Sequence, residues 1–347
     1  MRHEMDTREQ WDLAALFEKI AFRITRKGYR PTWKSFFFRP FDSAALLGFN
    51  TIRIDGGPFV VFFETTLPRI SKNRLLLSFL QKRALRGKNC RGIIAISECA
   101  RLLQESKQGT SKRLAVLHPP QKVLLSNDED HRWNDQGPVK FCFVGRDFGR
   151  KGGVEILRAL DALDAQDWHL TIISSLSVDD YATQYTKQEQ NSISQEIATI
   201  LYKRKEQITW HASQPNKHVL EVMRTSHVGL LPTWHDTYGY SVLEFQASGC
   251  PVITTDVRAL PEINNNTCGW IMPIGEKFGA QMSPLKSAFQ RKAFSQELVR
   301  NLQEIFNDIL VTPRDLLQIK SQACIARIKA QHDPAGHKMA LQKILMG

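Results

Sequence analysis

Six short runs between residues 139 and 272 set the strongest limit on what this chain can fold into: Val139–Val144, Trp168–Ser174, Gln207–His211, His227–Leu231, Pro251–Thr254 and Gly269–Met272. Each is strand-sized and rich in apolar or β-branched residues. Stretches that read as helices lie between them, over 152–164, 180–205, 215–225 and 240–248. Strands separated by helices cannot pair through hairpins. They need crossover connections, which build a parallel sheet with helices on both faces, a doubly wound α/β domain. From about residue 280 onward the chain reads as helices alone, ending in 313–331 and 333–346.

The first third is less regular. Trp11, Leu13, Leu16, Phe17, Ile20 and Ile24 mark an amphipathic helix over 8–27. Strand-like runs follow at Thr51–Ile54, Phe59–Glu64, Gly92–Ser97 and Leu114–Leu117, with helical stretches over 72–88 and 97–107. This predicts a second, smaller parallel sheet. His118-Pro119-Pro120 ends it, and the polar, Pro- and Gly-marked stretch up to Pro138 reads as a linker. The expected division is a basic domain over 1–120, a linker over 121–138, a larger domain over 139–325, and a C-terminal helix over 326–347 that crosses back to the first domain.

At 347 residues the chain suits two domains, and 42% hydrophobic against 24% charged residues excludes disorder as the main state. No apolar run is long enough to span a membrane, and the N-terminus lacks the basic-then-apolar pattern of a signal peptide. The six cysteines are scattered without a Cys-x-x-Cys pair and read as buried thiols in a reducing compartment. The expected location is therefore the cytoplasm.

Charge separates the two halves. Residues 1–120 hold 22 Lys and Arg against 10 Asp and Glu, whereas the remaining 227 residues hold 25 of each. The whole formal excess of +12 thus lies in the first third, which is a statement about partners rather than fold. Its densest part is Lys72, Arg74, Lys82, Arg83, Arg86, Lys88 and Arg91, set around Leu75–Leu77, Phe79 and Leu80. A basic amphipathic segment of this kind suits anionic lipid headgroups and so the inner face of a membrane. The other reading is a solvated helix whose apolar side packs on its own core. Nucleic acid is disfavoured, because Phe36–Phe38 form an apolar run and not a stacking ladder.

Two constellations carry chemistry. In Phe141-Cys-Phe-Val-Gly145-Arg146-Asp-Phe-Gly-Arg150-Lys151-Gly152-Gly153 a strand runs into a glycine-containing turn, two cations and a helix start. Glycines allow close backbone approach, and a helix N-terminus offers free N–H groups, so this is a candidate anion site; a solvated basic loop is the alternative. The second runs from Leu231 to Asp256. Asp236 lies in the loop after a strand, Gly239 precedes a helix, and Glu244 sits about one turn inside it. Two carboxylates flanking a helix N-terminus fit a ligand with anionic and polyhydroxyl parts. The simpler alternative makes Asp236 a helix cap and Glu244 an exposed side chain.

The eight-residue step from Asp236 to Glu244, the following Ser248-Gly-Cys-Pro-Val-Ile-Thr-Thr-Asp256, Arg258-Ala-Leu-Pro-Glu262-Ile, and the Val-Gly-Arg…Arg-Lys-Gly-Gly stretch together resemble retaining glycosyltransferases of the family 4 (group 1) type. The resemblance runs from about 139 to 275. It implies the GT-B fold, an α/β architecture of two Rossmann-like domains facing a cleft, here with an unusually short first domain and a helical C-terminus. It further implies a nucleotide-diphosphate sugar as donor substrate, no cofactor and no metal, and a glycan or lipid-linked acceptor in surface polysaccharide or glycoconjugate synthesis. Carried over by position, Glu244 would bind the ribose and Asp236 the transferred sugar. The backbone of Gly239, Tyr240 and Ser241 would meet sugar and phosphate beside Gly145, and Arg146 and Lys151 would neutralise the departing diphosphate.

The sequence departs from that pattern in places. Asp236 stands where Glu is usual, and Ser174-Ser175 replace a glycine-rich turn. Asp128-Glu-Asp130 matches a loose Asp-x-Asp metal pattern but sits in a run of acids and amides with no strand before it. His235 beside Asp236 makes no metal site, and His211 ends a strand where a nucleotide base would lie. Glu64 ends the apolar Phe59–Phe63, where the family often places an acceptor-side group, and becomes the candidate for orienting the acceptor hydroxyl; pairing with Arg69 is the alternative. The basic first domain suits an anionic acceptor. A non-catalytic binding or scaffold protein on a shortened fold is the rival functional reading.

Overall fold

The computed structural model describes residues 46–54, 56–68, 75–109, 113–125, 132–178 and 183–346. The helix expected over 8–27, Phe36–Phe38, Arg69, Lys72, Arg74 and Asp128–Asp130 lie outside the described residues. The chain divides into two compact units. One comprises residues up to 96 with 100–116 and 341–347; the other comprises 97–99 with 117–340.

The first unit holds four parallel strands in the order β1-β2-β3-β4: Leu46–Phe49, Phe59–Phe63, Cys90–Ala95 and Leu114–Val116. Helix α1 (Leu75–Arg86) joins β2 to β3, and α2 (Glu98–Gln108) joins β3 to β4. Its core gathers Ile52, Phe59, Val61, Phe63, Leu67, Ile93 and Ala95. The strand expected over Thr51–Ile54 is not formed. The pairing strand is β1, five residues earlier, and just past its end at Phe49 the φ of 55° at Asn50 turns the chain out of the sheet. Ile52 is nonetheless buried, so the apolar run reports burial without strand pairing.

The second unit is built on β5 (Val139–Val144), β6 (Trp168–Ile173), β7 (Ile208–His211), β8 (Val228–Leu231), β9 (Val252–Thr255) and β10 (Gly269–Met272). Between them run α3 (Gly153–Asp161), α4 (Lys187–Lys203), α5 (Asn216–Thr225), α6 (Tyr240–Ala247) and the short α7 (Leu260–Ile263). After β10 come α8 (Ile274–Phe278), α9 (Ala288–Val311), α10 (Arg314–Gln331) and α11 (Pro334–Met346). Four-residue α7 and five-residue α8 are too short to show a helical period. Helix α8 starts because the Asp256 carboxylate accepts from the backbone N–H of Gly275 and, at 2.9 Å, of Glu276.

All pairs in this sheet are parallel, in the order β10-β9-β8-β5-β6-β7. Chain direction across the sheet reverses between β5 and β8. That is the topological switch point of a doubly wound sheet, and the loops leaving the carboxyl ends of those two strands border a crevice where ligands bind in such folds. Phe141, Phe143, Leu157, Leu170, Leu230 and Phe306 pack the core beneath it. All six cysteines are buried, and none is in a disulfide. Among the described residues no helix is long and apolar enough to cross a membrane.

Candidate active site

Both sequence constellations meet at the switch point. The loop after β5 carries Gly145, Arg146, Arg150 and Lys151 into α3; the loop after β8 carries Thr233, Trp234, His235 and Asp236 into α6. Backbone and hydroxyl bonds stitch the two loops together. Trp234 N donates to the Arg150 carbonyl at 2.9 Å, and Thr233 Oγ1 donates to the same oxygen at 3.1 Å. Arg150 Nη1 returns a bond to the His235 carbonyl at 3.0 Å, while its other terminal nitrogen pairs with Asp147.

Gly152 makes this approach possible. Its φ of +81° is left-handed, and a Cβ there would lie 2.1 Å from the Pro232 carbonyl oxygen. Gly145 clears the path of Lys151: a Cβ would meet the lysine Cδ at 2.5 Å. The lysine therefore crosses the turn and reaches Asp236, with Nζ 3.3 Å from Oδ2 and both side chains mostly buried. The other Asp236 oxygen accepts from Thr237 N at 2.8 Å, so Asp236 does not cap α6. The cap position belongs to Gly239, left-handed at φ 91° and offering no side chain, as Gly152 does for α3. Two helix N-termini without side-chain caps thus flank a lysine, an arrangement that favours an anion.

Glu244 lies one turn into α6, half-buried; burial raises its carboxyl above the ordinary range and the Lys151 charge pulls it partly back. Ser241 Oγ is buried without a hydrogen-bond partner, and Asp236 Oδ2 is buried with only the Lys151 ion pair, as groups shaped for a polar ligand would be. Tyr240 is exposed, and its ring lies 5.2 Å from that of buried Tyr238, whose hydroxyl meets His118 Nδ1 at 3.2 Å. Arg146 is exposed on the loop, and its carbonyl accepts from Ser175 Oγ at 2.9 Å and Ser177 Oγ at 3.1 Å. Ser175, one of the two serines in place of a glycine-rich turn, and Ser177 therefore tie the loop after β6 to the loop after β5.

The structure thus brings together Gly145, Arg146, Lys151, Asp236, Gly239, Tyr240, Ser241 and Glu244 around one switch point. Glu64 belongs to the first unit, just past β2, where Asn50 Nδ2 donates to its Oε1 at 3.5 Å. Thr233 and Trp234, which fix the loop bearing Asp236, carry no signal in the sequence beyond their position after a strand. Among the described residues, no group of three or more His, Cys, Asp or Glu is placed to hold a metal ion.

Burial governs the histidines. That of His235 drives its pKa down to about 4, with Arg258 and Arg150 adding to the effect and Asp236 opposing it. His227 and His332 are likewise pushed down to about 4, chiefly by burial. An imidazole neutral in the fold but protonated when unfolded stabilises fully above its unfolded pKa. That contribution is lost as pH falls from about 6.5 towards 4. Each histidine should remove on the order of 1–2 kcal/mol by pH 5. Raised Glu155 and Glu244 act in the opposite sense, losing their contribution as pH rises, so the net change is smaller than the histidine sum. The melting temperature is expected to fall by several degrees between pH 7.5 and pH 5; a flat or rising profile would show that these imidazoles are not held neutral.

Residues 127–283 match the family model described as glycosyl transferases group 1. None of the curated proteins matches the chain. Among solved structures, the fold is similar to that of Anabaena Alr3699/HepE in complex with UDP, at 13% identity, 84% of this chain, 72% of that one and a TM-score of 0.58. A glycosyltransferase from Rickettsia africae ESF-5 is matched at 14% identity over 99% of this chain and 83% of that one, with a TM-score of 0.57. WaaG, a glycosyltransferase involved in lipopolysaccharide biosynthesis, is matched at 15% identity over 84% and 79%, with a TM-score of 0.55. At such identities the likeness is one of fold, two parallel sheets and a helical C-terminus of the GT-B type. The family match over residues 127–283 falls on the loops that build the site, and together with the GT-B fold it supports a glycosyltransferase.

Proposed function

We propose that the protein transfers a sugar, with retention of anomeric configuration, from a nucleotide-diphosphate sugar to an anionic or lipid-linked glycan in surface polysaccharide or glycoconjugate synthesis. The observation that carries this reading is the 3.3 Å Lys151–Asp236 pair between the uncapped N-termini of α3 and α6. On this reading Glu244 accepts from the ribose hydroxyls, and Asp236 from hydroxyls of the transferred sugar. The N–H groups of Gly239, Tyr240 and Ser241 meet the sugar and the phosphate.

The acceptor oxygen attacks the anomeric carbon as the bond to the diphosphate oxygen breaks, and the acceptor proton passes to a phosphate oxygen. Arg146 and Lys151 stabilise the charge that develops there, and Glu64 orients the acceptor hydroxyl. No resident cofactor or metal enters this scheme. Uridine donors are the first to try, since HepE is described in complex with UDP and with UDP-glucose.

The acceptor side supports a membrane partner at the cytoplasmic face. Helix α1 exposes Leu76, Phe79 and Leu80, and a pocket of about 410 Å³ is lined by Phe79, Lys82, Arg83, Arg86 and Gly87. An apolar strip rimmed by cations suits anionic headgroups. The test is a transfer assay on anionic vesicles carrying glycolipid acceptors, with the product's anomeric configuration read by NMR. Retained configuration and loss of binding on neutral vesicles are expected. An inverted product would contradict the retaining scheme, equal binding to neutral vesicles the membrane partner, and donor binding without turnover would favour the scaffold reading.

A further inference from the structure

We infer that Tyr238 and His118 are positioning residues for sugar transfer: a strap formed by residues 118–125 holds α6 at both ends, and the bond between the Tyr238 hydroxyl and His118 fixes the end that meets the donor. The inference rests on the reading of Gly239, Tyr240 and Ser241 as donor contacts. Tyr238 immediately precedes Gly239, the cap position of α6, and is fully buried. Its hydroxyl lies 3.2 Å from His118 Nδ1. At the other end of the helix, the backbone N–H groups of Leu124 and Leu125 donate to the Ala247 carbonyl at 2.8 and 3.2 Å. Arg132 Nη2 adds a bond to the next carbonyl, that of Ser248, at 2.7 Å. These donors satisfy carbonyls that a helix C-terminus leaves unpaired.

The strap is itself pinned. His332 Nδ1 donates to the Pro119 carbonyl at 2.9 Å, the Gln121 N–H donates to the His332 carbonyl at 2.8 Å, and His337 Nδ1 donates to the His118 carbonyl at 3.1 Å. The His118 ring also packs edge-on against that of His332, with centroids 5.7 Å apart. His118 is therefore a fixed point held by the corner between α10 and α11, and Tyr238 ties the start of α6 to it. Gly239 also packs against α7, where a Cβ would lie 2.6 Å from Leu260 Cδ2. Apolar packing is non-directional, whereas a hydrogen bond restricts both distance and angle. Gly239 has a left-handed φ of 91° and no side chain to cap the helix, so its neighbours set where the first N–H groups point. Displacements of about 1 Å at groups that touch substrate change rates by up to about 10²-fold.

The test compares Tyr238→Phe, His118→Ala and His118→Asn in the full chain. Of UDP, GDP and ADP, the probe is the one that raises the wild-type melting temperature. Tyr238→Phe keeps the buried ring; it is expected to lower kcat about tenfold and to raise the donor KM while leaving the acceptor KM unchanged. Hydrogen exchange across 238–243 should rise in the ligand-free variant. In the wild type the probe should slow exchange across 121–125, and Tyr238→Phe should lose that protection, since coupling between two sites acts in both directions. His118→Ala should reproduce the loss of kcat, and His118→Asn, whose amide reaches the Nδ1 position, should recover most of it. The double variant Tyr238→Phe with His118→Ala should add nothing further. Should Tyr238→Phe fail to fold, the two His118 variants decide alone. Wild-type kcat in Tyr238→Phe or His118→Ala would overturn the inference, as would equal kcat in the two His118 variants or unchanged exchange across 238–243. If no probe shifts the wild type and no sugar is transferred, the functional reading fails, while the ligand-free exchange still decides whether the Tyr238 hydroxyl holds the helix start.

Discussion

Alanine at Lys151 is expected to lower kcat by about 10²–10³-fold, the loss typical of removing one donor aimed at a developing oxyanion. The lysine crosses Gly145 to stand 3.3 Å from Asp236, mostly out of water, where a charge acts more strongly than at the surface. Its removal leaves Asp236 Oδ2 buried with no cation beside it and withdraws the charge that restrains the raised Glu244 carboxyl. Donor affinity should weaken less than turnover, because much of the effect belongs to the departing diphosphate and not to the ground state. Steady-state kinetics with a melting curve on the same sample check this. A kcat within threefold of wild type in a folded variant would remove Lys151 from the mechanism.

Gly152→Ala should have the largest effect on folding. Its φ of +81° is left-handed, which costs a Cβ-bearing residue roughly 1–2 kcal/mol. The new methyl would also lie 2.1 Å from the Pro232 carbonyl oxygen and 2.8 Å from its carbon, and backbone does not swing aside as a flexible side chain does. Relief requires the loop after β8 to retreat, which parts Trp234 N and Thr233 Oγ1 from the Arg150 carbonyl. Overpacking of this kind typically adds about 1–3 kcal/mol. Taken together, a fall in melting temperature of about 5–15 °C is expected, with loss of donor binding. Gly279→Ala is the internal control: it is also left-handed, at φ +66°, but nothing lies within 4 Å of the added methyl. It should show only the conformational part. Equal effects of the two substitutions would mean that the approach of the two loops is not tight.

The second unit was readable because its central strands are buried on both faces and its helices separate them, so local pattern and global topology agree. Val139–Val144 and Gly269–Met272 form strands over the bounds their composition suggests. The first unit was less readable: burial of Ile52 without pairing mimics a strand, and true β1, Leu-Leu-Gly-Phe, has too few β-branched residues to announce itself. In the candidate site, Lys151, Asp236 and Glu244 stand out in the sequence by residue type and spacing, and the structure brings them together. Trp234, which fixes the loop bearing Asp236, does not stand out, and neither does the burial of Glu155. In Gly-Gly-Val-Glu-Ile-Leu the glutamate looks like the polar position of an amphipathic helix, and only the packing of α9 over α3 encloses it. Ser174-Ser175 stand out in the sequence for what they replace, whereas the hydroxyls of Ser175 and Ser177 act by tying one loop to the next.

The central claim is that the second unit is a nucleotide-sugar site whose ribose contact is Glu244. The measurement that meets it most directly is a thermal-shift panel of UDP-, GDP-, ADP- and CMP-sugars on wild type and Glu244→Ala. A ligand at a hundred times its dissociation constant adds about 2.7 kcal/mol, a rise of several degrees for a chain of this size. One nucleotide class should stabilise the wild type and leave Glu244→Ala unmoved. Equal stabilisation of both proteins would contradict the placement of the ribose, and no shift with any of the four would contradict the donor site itself.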